Sequence, residues 1–116
     1  MNFKGFGFFD EVEWPEGRDI DTLLRSKLDL ASRVESSGCF DGFYVIERHL
    51  TRLSANVSQS VFLSALSQKT SKIRLGALVY VLPLRNPLML AEEISLLDHI
   101  AKGRLDVGLG SGISDL

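Results

Sequence analysis

At 116 residues the chain is the size of one small domain. Its 45% apolar and 24% charged content suits a packed globule, and a formal net charge of −2, with the basic residues scattered, leaves no electrostatic footprint for nucleic acid or an anionic membrane. No apolar run approaches the ~20 residues that span a bilayer, the N-terminal segment is too short and too lightly basic for a signal peptide, and the single cysteine, Cys39, excludes an intramolecular disulfide; the expectation is a soluble, cytoplasmic protein.

Residues 3–9 are aromatic-rich and suit a first strand. An acidic loop containing Trp14-Pro15 follows over residues 10–17. Asp19 or Asp21 can cap a helix, because a carboxylate accepts from the orphan amides of the first turn. Leu24, Leu28 and Ala31 share one face of that helix, Leu23, Leu30 and Val34 widen it, and Ser37-Gly38 stops it. Cys39, at the helix end, reads as a small buried hydrophobe. Residues 43–46 form a β-branched and aromatic second strand.

Over residues 54–70, Val57, Val61, Ala65 and Leu66, with Phe62 adjacent, have helical spacing. Residues 73–82 are almost continuously apolar, which predicts a third strand covered on both faces. Asn86-Pro87 marks a helix start: Asn caps, and Pro fits the first position, where its missing N–H costs nothing. Leu90, Ala91, Ile94 and Leu97 give that helix its buried stripe, Lys102-Gly103-Arg104 closes it, and residues 105–109 make a fourth strand. The order βαβαβαβ implies parallel pairing with right-handed crossovers.

Each strand empties into a polar or glycine-rich tip, and in a parallel sheet those tips share one edge. The second strand leads into Glu47-Arg48-His49, the third into Pro83-Leu84-Arg85-Asn86-Pro87, and the fourth into Gly110-Ser111-Gly112. A histidine at such an edge can accept or donate a proton near neutrality. A plainer reading pairs Glu47 with Arg48 and leaves His49 to packing. Gly108, Gly110 and Gly112 let a backbone approach a ring or phosphate closely, or form a tight turn; their spacing is not that of a dinucleotide fingerprint. His99, near a helix end, reads as structural, and Tyr80 and Trp14 as packing. No Cys/His cluster or Walker-type loop is present, so a metal site is not expected.

Val45-Ile46-Glu47-Arg48-His49, Ile73-Arg74-Leu75-Gly76, residues 81–87, Ala91-Glu92-Glu93-Ile94, Leu96-Leu97-Asp98 and Gly103-Arg104-Leu105, taken in order, resemble the bacterial luciferase-like family. Members are flavin-dependent monooxygenases and deazaflavin oxidoreductases on a TIM barrel. The resemblance implies an α/β chain forming a partial (β/α)8 barrel, its first four parallel strands with three helices, and one domain over residues 1–116. A whole barrel takes about 250 residues, so the chain is either truncated or completes itself by association, as a homo-oligomer.

The resemblance further implies His49, Glu47 and Arg48 as catalytic residues, although the usual family pattern is Glu-His-His and Arg48 stands at its first histidine. It implies Leu78-Val79, where the family often has a non-proline cis peptide beneath the flavin, together with Gly110 and Ser111, as cofactor-binding residues. FMN is the expected cofactor, with deazaflavin as the alternative, and a small molecule and oxygen are the expected substrates. Two other readings stay open: a non-catalytic half-barrel that self-associates, and a doubly wound nucleotide-binding domain holding phosphate at residues 108–112.

Overall fold

The structure, a computed structural model, describes residues 5–112. Strand β1 (Gly7–Asp10) is followed by helix α1 (Ile20–Ser37), β2 (Gly42–Val45), α2 (Gln59–Lys69), β3 (Arg74–Val81), a 3-10 turn (Leu82–Leu84), α3 (Pro87–Ile100) and β4 (Leu105–Gly110). The helix starts are set by local chemistry. Asp19 accepts from the Thr22 amide at 2.8 Å, and Asn86 accepts from the amides of Leu88 and Met89 with Pro87 at the first helical position.

The four strands form one parallel sheet in the order β1-β2-β3-β4. Phe8, Phe43 and Leu75 lie side by side across three strands, and Asp10, Val45, Ala77 and Val107 across all four. One sheet face therefore carries Phe43, Val45, Leu75, Ala77, Tyr80 and Leu105, all buried with Ala31 and Val34 of α1, Phe62, Leu63 and Leu66 of α2, and Leu90 and Leu97 of α3. Each large apolar side chain so buried contributes about 1.5–3 kcal/mol. The opposite face carries Phe9, Tyr44, Gly76 and Asp106. Strands in sequential order with their helices packed on one face are the wall of a barrel. A doubly wound sheet needs helices on both faces and a reversal of strand order, so that reading is corrected.

The end holding the strand N-termini is tied by two charged residues. Arg104 donates to the Ala101, Ile73 and Ser67 carbonyls and to the Thr70 hydroxyl at 2.8–3.0 Å, joining the C-terminal ends of α2 and α3 to the start of β3. Glu35 of α1 accepts from the amides of Ser71, Lys72 and Ile73 at 2.7–3.0 Å. Above this end, on the open face, the Tyr44 ring covers the space that side chains at Gly42 and Gly76 would take. Its hydroxyl donates to Asp106 at 2.9 Å, and the Arg74 guanidinium holds the same carboxylate. Burial and then Asp106 push the Tyr44 phenol up, while the Arg74 hydrogen bond holds Asp106 below the usual carboxylate range.

Several expectations are corrected. β1 begins at Gly7 and includes Asp10; Phe3 lies outside the described residues. Helix α2 begins at Gln59 rather than at residue 54, and its buried residues are Gln59, Phe62, Leu63, Leu66 and Ser67. Val57 and Val61 are exposed, because the inward face is rotated one position from theirs. Ala91 is exposed; Leu90 and Leu97 are buried, and Ile94 packs partly buried against the core. Cys39 is exposed, because α1 ends at Gly38 (φ 68°) and the chain turns outward there. β3 is not covered on both faces throughout: Arg74 and Leu78 are exposed, while Gly76 between them is buried under the Tyr44 ring.

The Glu35 contact gives a pH test. Burial pushes its carboxyl up, but the amides of Ile73, Lys72 and Ser71 outweigh this and leave it below its ordinary 4.5. A carboxyl depressed in the native state stabilises fully above its unfolded-state value and ceases to as the pH falls through the native one. Urea midpoints of wild type and Glu35→Gln should therefore differ by a constant amount near pH 7 and draw together as the pH falls below the ordinary 4.5 of the carboxyl; a gap that widens on acidification contradicts the assignment.

Candidate active site at the strand tips

Beyond Val45 the chain continues extended, so Glu47 and His49 fall on one side and Arg48 on the other. The Glu47 side chain is 0% exposed although it is a carboxylate. It survives there because both oxygens are occupied: Oε1 lies 2.6 Å from His49 Nε2 and Oε2 accepts from Arg85 Nη2 at 2.8 Å. Arg85 follows the 3-10 turn after β3. One buried carboxylate thus fastens the tip of β2 to the tip of β3.

The expected pairing of Glu47 with Arg48 is corrected. Arg48 donates its backbone amide to the Asn56 carbonyl, and its Nε is buried with no hydrogen-bond partner among the described residues. As a carboxylate, Glu47 can only accept, so the His49 Nε2 must carry hydrogen. In neutral His49 the lone pair is then on Nδ1, which has no described partner, and the side chain is 28% exposed. The histidine is held by one nitrogen and open at the other.

Two amide side chains from the start of α2 complete the joint. Asn56 donates to the Ile46 carbonyl at 2.7 Å and to Gln59 Oε1 at 3.1 Å. Gln59, fully buried, donates to the carbonyls of Val45 at 3.1 Å and Val79 at 3.3 Å, beyond the last β2–β3 register pair. The tip of β1 joins them through Val12, which is fully buried with φ 53°, a region that β-branched residues rarely adopt. Its amide donates to Asp10 and its carbonyl accepts from Ala55, both at 2.8 Å.

Leu78-Val79 sits in β3 where the register against β4 slips, and the peptide between these residues is cis. A Cβ on Gly108 would lie 2.5 Å from the Ala77 carbonyl oxygen, and one on Gly110 2.6 Å from Val79 Cγ2. These glycines are needed because β4 runs tightly against the bulge; both lie within β4, and the tight turn after a strand is corrected to a close strand contact. Ser111 is exposed, its hydroxyl 3.4 Å from the Gly112 carbonyl.

The structure thus brings Glu47 into direct contact with both His49 and Arg85, and Val79 close against Gly110. Gln59 spans the two groups, while Arg48 and Ser111 stand at the same end of the sheet without contacting either. Arg85 lies in the third strand's tip, residues 83–87, which the sequence reading pointed to without giving Arg85 a role; Asn56 and Gln59 were not singled out. Tyr80 is packing: buried on the helix face, its hydroxyl 3.1 Å from that of Ser60. Trp14 lies beneath the Arg52 guanidinium, 5.1 Å from the ring centroid.

A groove of about 320 Å³ runs along α1, lined in part by Glu13, Arg18, Lys27 and Arg33, and contains none of the strand-tip residues. Among the described residues no group of three or more His, Cys, Asp or Glu is placed to hold a metal ion, and no helix is long and apolar enough to cross a membrane.

The family model described as luciferase-like monooxygenase matches residues 5–115. The uncharacterized protein y4wF of Sinorhizobium fredii is 36% identical over 92% of this chain, and limonene 1,2-monooxygenase of Rhodococcus erythropolis is 32% identical over 81%. The chain spans only 31% and 24% of the length of these two relatives. A solved type II Baeyer-Villiger monooxygenase, the oxygenating constituent of 3,6-diketocamphane monooxygenase from Pseudomonas putida in complex with FMN, superposes with a TM-score of 0.88 at 21% identity, over 95% of this chain and 30% of its own. The coenzyme F420 dependent tetrahydromethanopterin reductase of Methanopyrus kandleri gives 0.71 at 25% identity, over 94% of this chain and 27% of its own.

Replacing Gln59 by Leu leaves two buried carbonyls and the Asn56 amide short of partners. The expected loss is about 1–3 kcal/mol in urea unfolding, accompanied by faster amide exchange at residues 45–48; a change under about 0.5 kcal/mol, the size of an ordinary surface substitution, contradicts the joint.

Proposed function

We propose, because the chain belongs to the luciferase-like monooxygenase family, that it supplies the N-terminal half of a TIM barrel whose strand-tip rim works on a small organic molecule with a flavin and oxygen. The observation that carries this reading is the convergence of Glu47, His49, Arg85, Val79 and Gly110 at the C-terminal ends of parallel strands, the end where barrels of this class hold their chemistry. The remaining βα units come from further chain or from an associating copy. The cytoplasm is the proposed compartment, in keeping with a lone, exposed Cys39 and no disulfide.

The residues fit a flat redox ring. Leu78 and Val79 form an apolar, half-open ledge, and the bare Gly108 and Gly110 keep β4 side chains off it. When bound, the flavin supplies the electron transfer and the activation of oxygen. Leu78, Val79 and Gly110 would lie against the ring, and the Ser111 hydroxyl would donate a hydrogen bond. His49 holds or moves a proton at Nδ1, Glu47 orients it, and Arg48 adds positive charge at the same end of the sheet. FMN is preferred because limonene 1,2-monooxygenase, at 32% identity, is named for oxygen insertion; the F420-dependent reductase keeps deazaflavin as the alternative.

A second reading, a self-associating half-barrel without catalysis, draws on the exposed Val107 and Leu109 of β4 and the exposed Leu88 and Leu96 of α3. Titration of FMN and of F420 against the purified chain, with reductase-coupled oxygen consumption, separates the two. The flavin reading predicts saturable binding of one cofactor, retained by His49→Ala while turnover falls by about 10²-fold or more. No binding of either cofactor to a chain that sediments as an oligomer supports the second reading and overturns the first.

A further inference from the structure

We propose that Arg85 is a positioning residue: acting through Glu47, it fixes His49 with hydrogen on Nε2 and presents Nδ1 as the working nitrogen. The proposal rests on the reading of the rim as the working site, but its physical content does not depend on any cofactor. The Glu47 side chain is wholly buried, so water cannot replace a missing donor. Arg85 Nη2 occupies Oε2 at 2.8 Å, and Glu47 is the only described acceptor of the Arg85 guanidinium, whose Nε is buried without a partner. The arginine is thus committed to this carboxylate and to nothing else in the described structure.

With Oε2 taken, Oε1 alone faces His49, and the 2.6 Å separation fixes which ring nitrogen donates. No other hydrogen bond to the imidazole exists among the described residues, so the orientation of the ring depends on this carboxylate. Removing Arg85 leaves Oε2 buried and empty. The carboxylate must then rotate toward solvent or share its two oxygens with His49, and either movement frees the imidazole.

The test is nuclear magnetic resonance on the chain labelled with 15N at histidine, without flavin, with His49→Asn to assign the signals. In wild type, at a pH where the imidazole is neutral, His49 should show a protonated Nε2, an unprotonated Nδ1 and an Nε2–H protected from solvent. In Arg85→Met, with the backbone amide spectrum otherwise folded, exchange of that hydrogen should speed up by about tenfold or more and the two nitrogen shifts should converge. Should Arg85→Met fail to fold, Arg85→Gln, which is uncharged and two atoms too short to reach Glu47 as the guanidinium does, is read in the same way. Unchanged exchange and shifts in the folded variant overturn the proposal. Because no cofactor enters the measurement, failure of flavin binding leaves its result intact, and an unchanged His49 leaves the flavin reading intact.

Discussion

A carboxylate sealed from water is tolerable only when its oxygens find donors, and Glu47 finds them on two different loops. That requirement organises the rim. Arg85 must arrive from the β3 tip and His49 must turn back from the β2 tip, so two segments far apart in sequence are drawn together. Losing one partner of such a group typically costs about 3–5 kcal/mol, whereas a well-packed apolar substitute for the whole set is often neutral or stabilising. Stability alone therefore does not call for three titratable groups here, and this is the physical reason for proposing that the cluster handles protons.

The two ends of the sheet divide the work. At the strand N-termini, Arg104 and Glu35 spend their hydrogen bonds on backbone carbonyls and amides, fastening helix ends to strand starts. At the strand C-termini, Gln59 and Asn56 hold the backbone from behind, leaving His49, Val79 and Gly110 at the edge. The Tyr44–Asp106–Arg74 chain lies on the open face, paired with the floor rather than with the rim. Rigid ends with a supported edge are what a site needs if its groups are to stay placed while a ligand comes and goes.

Much of this architecture was legible in the sequence, because apolar strands ending in polar tips and alternating with amphipathic segments leave few topologies. Asn86-Pro87 and Asp19 announced their helix starts through local hydrogen bonding, and parallel order placed residues 47–49, 78–79 and 110 at one end. Contacts across the fold were not legible. Glu47 and Arg48 are adjacent in sequence and attract a pairing argument, yet an extended backbone turns them to opposite sides, and the true partner is 38 residues away. Nothing in the local sequence marks Gln59 for burial; only the carbonyls of Val45 and Val79, which accept from its amide, explain it. Glycines 108 and 110 were legible as special, but the cause, a neighbouring strand with one residue too many, belongs to tertiary structure.

β4 is an edge strand of the sheet, and its Val107 and Leu109, with Leu88 and Leu96 of α3, are exposed. The account depends most on the buried bridge between two strand tips. A double-mutant cycle in urea, comparing wild type, Glu47→Gln, Arg85→Met and the double variant, measures it most directly. The account predicts a coupling of about 1.5–3 kcal/mol; additivity within about 0.5 kcal/mol would mean that Glu47 and Arg85 do not hold one another and that the rim is not built as described.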